Sequence, residues 1–402
     1  ITEGEHAGKY KIKGQKIYIT FGEHDLTDNI IHLVLARTPG APEGTRGISL
    51  FIVPKFHLDA DGKPGTPNDV TCVSIEHKIG IHASPTCVMA YGEQGECIGE
   101  MIGGEFGGMK AMFTMMNNAR INVGSQGVQI AERSTQQASA FALERIQSAR
   151  AGSGNKAPVA IIEHPDVRRM LLRSKALTQA ARALLYYASS SVDRATLGIE
   201  GAKARAEILT PLIKGYGTDI GNEVASIGVQ VHGGMGFVEE TGAGQHFRDA
   251  RIAPIYEGTN GIQAADLVGR KLGLDGGDAM KQFIVEILVE AKQSESLLAL
   301  GHACEDIRQW MASGDASIDD RLAGSYPFMT MLATATCGML MQKQHRIASA
   351  ELAGGDDPFL KAKLVTTRYY LDHLVPEALG LKAAAMAGAD ILYELDSAEL
   401  AG

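Results

Sequence analysis

Cysteine is scarce and unpatterned in this chain: Cys72, Cys87, Cys97, Cys304 and Cys337 are the whole set, and no two stand in C-x-x-C spacing. An odd set without ligand spacing argues against a disulfide scaffold or a zinc site and suits a reducing compartment. Positive charge is not in excess either. The formal net charge of −9 at pH 7 argues against a nucleic-acid or anionic-membrane surface, while leaving room for a local basic pocket. No apolar run reaches membrane-spanning length, and no charged-then-apolar leader opens the chain. These absences lead to the expectation of a cytoplasmic protein with no nucleic-acid partner and no membrane span. His24 and Asp25 in the GEHD stretch stand alone, without convergent ligands, so no metal site is expected.

What is present is ordinary for a globular protein and large enough to bury a sizeable core. The 402 residues are 45% hydrophobic and 21% charged, which allows two or three domains. Residues 1 to about 100 read as short strands. Tyr10-Lys11-Ile12-Lys13 and Lys16 to Thr20 alternate around a Gly14-Gln15 turn, and Ile30–Ala36 and Ile48–Pro54 read as more fully buried strands. A small β barrel or sandwich fits this spacing. From Gly103 onward the period becomes helical. Met109–Arg150, with Gly124 and Gly127 as weak breakers, is followed by helices at about 164–197, 201–232 and 259–272, a candidate four-helix bundle. Beyond Gly273, residues 280–300, 327–352 and 358–395 read as further amphipathic helices. Trp310, Tyr369 and Tyr370 are expected to pack in the core there or to cover the active-site entrance, with the core favoured, and the segment shows no second catalytic constellation and no internal repeat.

The stretch Phe247–Leu272, FRDARIAPIYEGTNGIQAADLVGRKL, places one carboxylate, Glu257, between an apolar run and a glycine turn that opens into a helix. Thr259 or Asn260 can cap that helix, whose apolar face would carry Ile262, Ala265, Val268 and Leu272, with Gln263, Asp266 and Arg270 opposite. A helix start favours phosphate or another anion, and a carboxylate in an apolar setting suits a base that must take a carbon-bound proton. Alone, a Glu in a glycine turn reads as a solvated loop residue.

The wording of this stretch resembles a known family. IYEGTNGIQ is similar to the signature of the acyl-CoA dehydrogenases, and Gln230 to Phe237, QVHGGMGF, and Arg248-Asp249-Ala250 resemble the glycine turn and RDA that precede it. KIYITFGEHD, VSIEHKIGIHASPTCVM, FTMMNNAR and HPDVRRMLL are most similar to the large bacterial branch named for 3-methylmercaptopropionyl-CoA.

The resemblance implies an α+β chain with a β domain at 1–102, a helical bundle at 103–274 carrying the catalytic Glu, and an additional C-terminal helical domain at 275–402. It also implies that the family's N-terminal helical domain is missing. The activity implied is FAD-dependent α,β-dehydrogenation of an acyl-CoA, with Glu257 as α-proton base and the β-hydride passing to flavin N5. Cofactor contacts are implied for Tyr18, Thr20, Arg145, Gln230, Gly233, Gly234 and Thr259, and substrate contacts for Ser84, Arg120 and Tyr256. In a branch acting on isovaleryl substrates the base precedes the arginine at position 120, but Ala119 stands there. Arg145 would hold the FAD diphosphate of a neighbouring subunit, implying a homodimer or dimer of dimers, with an electron-transfer flavoprotein as acceptor. Gly261 departs from the Gln common in relatives, Asn117 replaces the usual acid, and Ile146 to Ala149 departs from the usual loop. The rival readings are an acyl-CoA oxidase and a non-catalytic or incomplete subunit.

Overall fold

Alternating apolar residues fold the first hundred positions into nine short antiparallel strands: β1 Tyr10–Lys11, β2 Gly14–Thr20, β3 Ile31–Ala36, β4 Ser49–Pro54, β5 Phe56–Leu58, β6 Pro64–Pro67, β7 Val70–Ile75, β8 Thr86–Tyr91 and β9 Ile98–Ile102. The computed structural model describes residues 1–402, and they divide into units at 1–118 and 119–402.

In the first unit one sheet has the order β1-β9-β4-β3 and another β2-β8-β7, with β5-β6 as a small ribbon. Val34, Phe51, Val53, Val70, Cys87 and Met89 from the two larger sheets share one core, so the arrangement is a sandwich. Two strand expectations are corrected. The Gly14-Gln15 turn does not make a hairpin, because β1 pairs with β9 while β2 pairs with β8. Nor is β3 fully buried: Ile31 and Leu33 are exposed and Val34 is buried, the alternation of a sheet with one face outward.

The second unit is helical: α1 Gly108–Glu144 (which begins in the first unit), α2 Pro165–Thr196, α3 Ala202–His232, α4 Ala243–Ala250, α5 Asn260–Asp266, α6 Asp278–Glu290, α7 Glu295–Ala312, α8 Ile318–Ala323, α9 Ser325–Leu352 and α10 Pro358–Tyr369, with shorter helices beyond. The expected helix at 280–300 is broken after Glu290, where Ser294 caps α7 by accepting from the Leu297 amide. The long pattern at 358–395 likewise breaks after Tyr369 into a π-turn and short helices.

Gly124 and Gly127 are not breakers. A Cβ on Gly127 would lie 2.3 Å from the Gly217 carbonyl oxygen, and one on Gly124 would lie 2.8 Å from that of Ile213. The two glycines therefore let α1 and α3 approach backbone to backbone. One apolar core then runs from Leu177, Leu184 and Leu212 into Phe283, Leu300, Phe328 and Tyr370, so the helices after residue 278 share it with α2 and α3. Tyr370 is fully buried and its hydroxyl lies 3.1 Å from that of Tyr216.

Candidate active site

The turn Glu257 to Asn260 is strained and is held from below. Glu257 has φ 55° and Gly258 φ 82°, two successive left-handed residues of which the first is not glycine. A non-glycine residue in that region costs about 1–3 kcal/mol and persists only where its surroundings over-determine it. Here they do. Thr259 caps α5 by accepting from the Ile262 amide at 3.2 Å, and the Asn260 amide donates to the Pro254 carbonyl at 2.9 Å. Gln263 donates to the carbonyls of both Glu257 and Gly258 at 3.3 Å.

The expected face holds at Val268 and Leu272, which are buried, and at Arg270, which is exposed, but is reversed at Ile262, Gln263 and Asp266. Ile262 is 53% exposed, while Gln263 and Asp266 are buried beside Ala264 and Leu267. Gln263 turns inward because the turn presents carbonyls that need donors, and Asp266 because Arg120 of α1 meets it at 3.4 Å in a buried ion pair.

The residue that sequence reasoning missed is Lys214 of α3. Its side chain is fully buried and Nζ donates to the Gly258 carbonyl at 2.6 Å and to Asn260 Oδ1 at 2.9 Å. Burial pushes its pKa down to about 8, opposed by the Asp219 and Glu257 carboxylates and reinforced by Arg120. The other face of Asn260 donates to Asp219 Oδ1 at 2.8 Å, and Tyr326 of α9 donates to Asp219 Oδ2 at 2.6 Å. Burial pushes the Asp219 carboxyl up, against these two hydrogen bonds and the charge of Lys214. The available signal was a lone cation inside the apolar run Ile208 to Tyr216.

The second unit also holds Tyr256, Arg120, Arg145, Gln230, Gly233, Gly234 and Thr259. Tyr256 donates to Gln126 of α1, and burial pushes its hydroxyl up. Arg120 is buried, with Nε lacking a partner. Arg145 is exposed, held only by a long 3.4 Å bond to Gln147. Gln230, Gly233 and Gly234 are exposed where α3 ends, and Gly233 closes the helix at φ 59°. Thr259 is exposed at the α5 cap, so the structure brings it, Tyr256 and Glu257 together.

In the first unit Tyr18 lies on a bulge of β2 with φ 59° and is 68% exposed, and Thr20 is exposed two residues on. Ser84 sits in the turn before β8, its carbonyl accepting from Lys78. His24 accepts from the Leu26 amide and belongs to its own loop. No group of three His, Cys, Asp or Glu side chains is placed to hold a metal, and no helix is long and apolar enough to cross a membrane.

Within the second unit, a large anionic cofactor fits what the residues leave open. A Cβ on Gly234 would meet nothing within 4 Å and its φ is not positive, so neither packing nor backbone strain within the chain demands glycine there. The amide N–H of Glu257 makes no hydrogen bond within the chain. Arg145, exposed, spends only one long 3.4 Å hydrogen bond on Gln147.

Residues 107–272 match the family described as "Acyl-CoA dehydrogenase, C-terminal domain", and residues 278–396 match "Acetyl-CoA dehydrogenase C-terminal like". The chain is 46% identical over 387 residues to a 3-methylmercaptopropionyl-CoA dehydrogenase of Ruegeria pomeroyi, covering 92% of this chain and 65% of the relative. It is 37% identical over 409 residues to a butyryl-CoA dehydrogenase of Syntrophomonas wolfei, covering 94% of this chain and 67% of the relative. In fold it matches an acyl-CoA dehydrogenase of Bacillus anthracis solved with FAD, with a TM-score of 0.74 at 19% identity, covering 99% of this chain and 66% of that one. The chain belongs to the acyl-CoA dehydrogenase family. It spans about two thirds of the length of the relatives it matches.

Proposed function

We propose that the protein carrying this chain is an FAD-dependent dehydrogenase that forms the α,β double bond of acyl-CoA thioesters, with Glu257 as the base. The observation that carries the reading is Glu257 itself: a carboxylate on a left-handed backbone at the mouth of a capped helix, with its own amide N–H uncommitted. FAD, when bound, supplies the hydride acceptor. Glu257 removes the α-proton, and its amide N–H donates to the thioester oxygen as negative charge develops there. Tyr256, fixed through Gln126, walls the substrate beside the carboxylate, and Ser84 is a CoA contact, whereas Arg120, buried in its ion pair with Asp266, has no surface to offer CoA.

Tyr18, Thr20, Gln230, Gly233, Gly234 and Thr259 would hold the cofactor, with the glycines admitting its diphosphate close to the backbone. Arg145 would reach the diphosphate of a second subunit, which makes the working form a homodimer or dimer of dimers. An electron-transfer flavoprotein is the proposed acceptor and the cytoplasm the proposed compartment. The proposed substrate is 3-methylmercaptopropionyl-CoA, supported by the 46% identity to the Ruegeria protein.

The test is the visible spectrum of the FAD-loaded protein under anaerobic conditions, with 3-methylthiopropionyl-CoA and with butyryl-CoA. Bleaching of the flavin band, faster with the sulfur substrate, is expected. A flavin band unmoved by either thioester overturns the reading.

A further inference from the structure

Lys214 stands where chain packing alone would put an apolar side chain. Leu209, Leu212, Ile213 and Tyr216 surround it on α3, all buried, and its own side chain is wholly out of water. A buried cation is normally held by a carboxylate in contact, because desolvation strongly opposes an unpaired charge. Lys214 has no carboxylate within ion-pair distance; its hydrogen bonds go to the Gly258 carbonyl and to Asn260 Oδ1. Both acceptors belong to the four-residue turn that carries Glu257.

The geometry of the turn explains the need. The consecutive left-handed residues Glu257 and Gly258 aim the Gly258 carbonyl at α3, where Lys214 donates to it, and Gln263 of α5 is its second donor. Asn260 is fully committed: it accepts from Lys214 and donates to Gly215, Thr218 and Asp219. Asp219 is in turn held by Tyr326 of α9. A continuous hydrogen-bonded chain thus runs inward from Tyr326 of α9, which is partly open to solvent, through Asp219 and the buried Asn260 and Lys214, to the carbonyl immediately after Glu257.

Resting on the reading of Glu257 as base, we propose that Lys214 is a positioning residue that holds the Glu257 turn in its left-handed conformation, and that Asn260, Asp219 and Tyr326 fix Lys214 in place. Lys214 touches neither the thioester nor the flavin; it acts through the backbone of Gly258. Misplacing a base by about 1 Å costs on the order of 100-fold in rate, while binding of the CoA portion depends on other residues.

The experiment replaces Lys214→Met and, as a milder change retaining an N–H donor, Lys214→Gln. Hydrogen exchange of the peptide spanning 252–266 is measured without ligand, and flavin bleaching and acyl-CoA binding are measured on the FAD-loaded protein. Exchange is expected to accelerate in 252–266 and to remain unchanged in α2. Bleaching should slow roughly 100-fold in the Met variant while acyl-CoA affinity stays within about threefold. Adding Lys214→Met to Glu257→Gln should produce little further loss, because one residue acts through the other. Unchanged exchange in 252–266 in both variants, or a loss of rate matched by an equal loss of affinity, overturns the proposal. If the Met variant does not fold, the Gln variant carries the same two outcomes. If Glu257→Gln alone bleaches at the parent rate, it is the assignment of the base that fails, and the exchange result still decides whether Lys214 holds the turn.

Discussion

Arg120 and Asp266 face one another at 3.4 Å with both side chains almost wholly buried, and the pair joins α1 to α5 six residues beyond the start of that helix. Arg270, exposed on its own side, reaches the same carboxylate. The two arginines therefore do different work on one acceptor.

Removing the buried partner leaves an uncompensated charge. Asp266→Ala is expected to lower unfolding stability by about 3–5 kcal/mol, read from denaturant midpoints at constant slope. Arg270→Ala, from its exposed position, is expected to change stability by no more than about 1 kcal/mol. Equal effects at the two sites would contradict the account of α5 as a helix buried on its polar side.

Two glycines separate packing from ligand approach. Gly127→Ala drives a Cβ to 2.3 Å from the Gly217 carbonyl and is expected to cost about 1–3 kcal/mol. Gly234→Ala meets open space, so its stability without cofactor should stay within about 0.5 kcal/mol of the parent. Its FAD affinity is expected to fall, because in the proposed site the backbone there admits the diphosphate. Thermal melts with and without FAD distinguish the two positions.

The buried Lys214 makes stability depend on pH in a defined direction. Its folded pKa is lowered to about 8 from 10.5, so between those values the unfolded chain binds more protons than the folded one. Stability contributed by this group therefore rises with pH across that window. Relative to Lys214→Met, the parent should gain about 2 kcal/mol of unfolding free energy between pH 7 and pH 9.5. The charged groups facing Lys214 are Asp219, Arg120 and Glu257, and all three are left intact in the comparison. A difference between parent and variant that is flat or falls over this range would contradict the assignment.

The sequence was legible where chemistry and period agreed. The β region, the long helices and the Glu257 turn follow from alternation, a 3.6-residue period and glycine placement. The face of α5 was misread because Ile262 and Gln263 were assigned by polarity, whereas the turn behind them demands donors and the apolar residue is the one turned out to water. Gly124 and Gly127 were misread because a glycine within a helix is ambiguous until the partner helix is known. Lys214 is not legible in the sequence because a single charge in an apolar run gains meaning only from the carbonyl it meets, 44 residues away in sequence. The break after Glu290 was hidden by apolar residues on both sides of the Ser294 cap.

The most direct test of the account is anaerobic stopped-flow bleaching of the FAD-loaded parent and its Glu257→Gln variant by 3-methylthiopropionyl-CoA. The account predicts that the variant binds FAD and thioester as the parent does, yet loses bleaching by at least about 1000-fold, since the amide cannot accept the α-proton. Bleaching of the variant within about tenfold of the parent would place the base elsewhere and contradict the role given to Glu257.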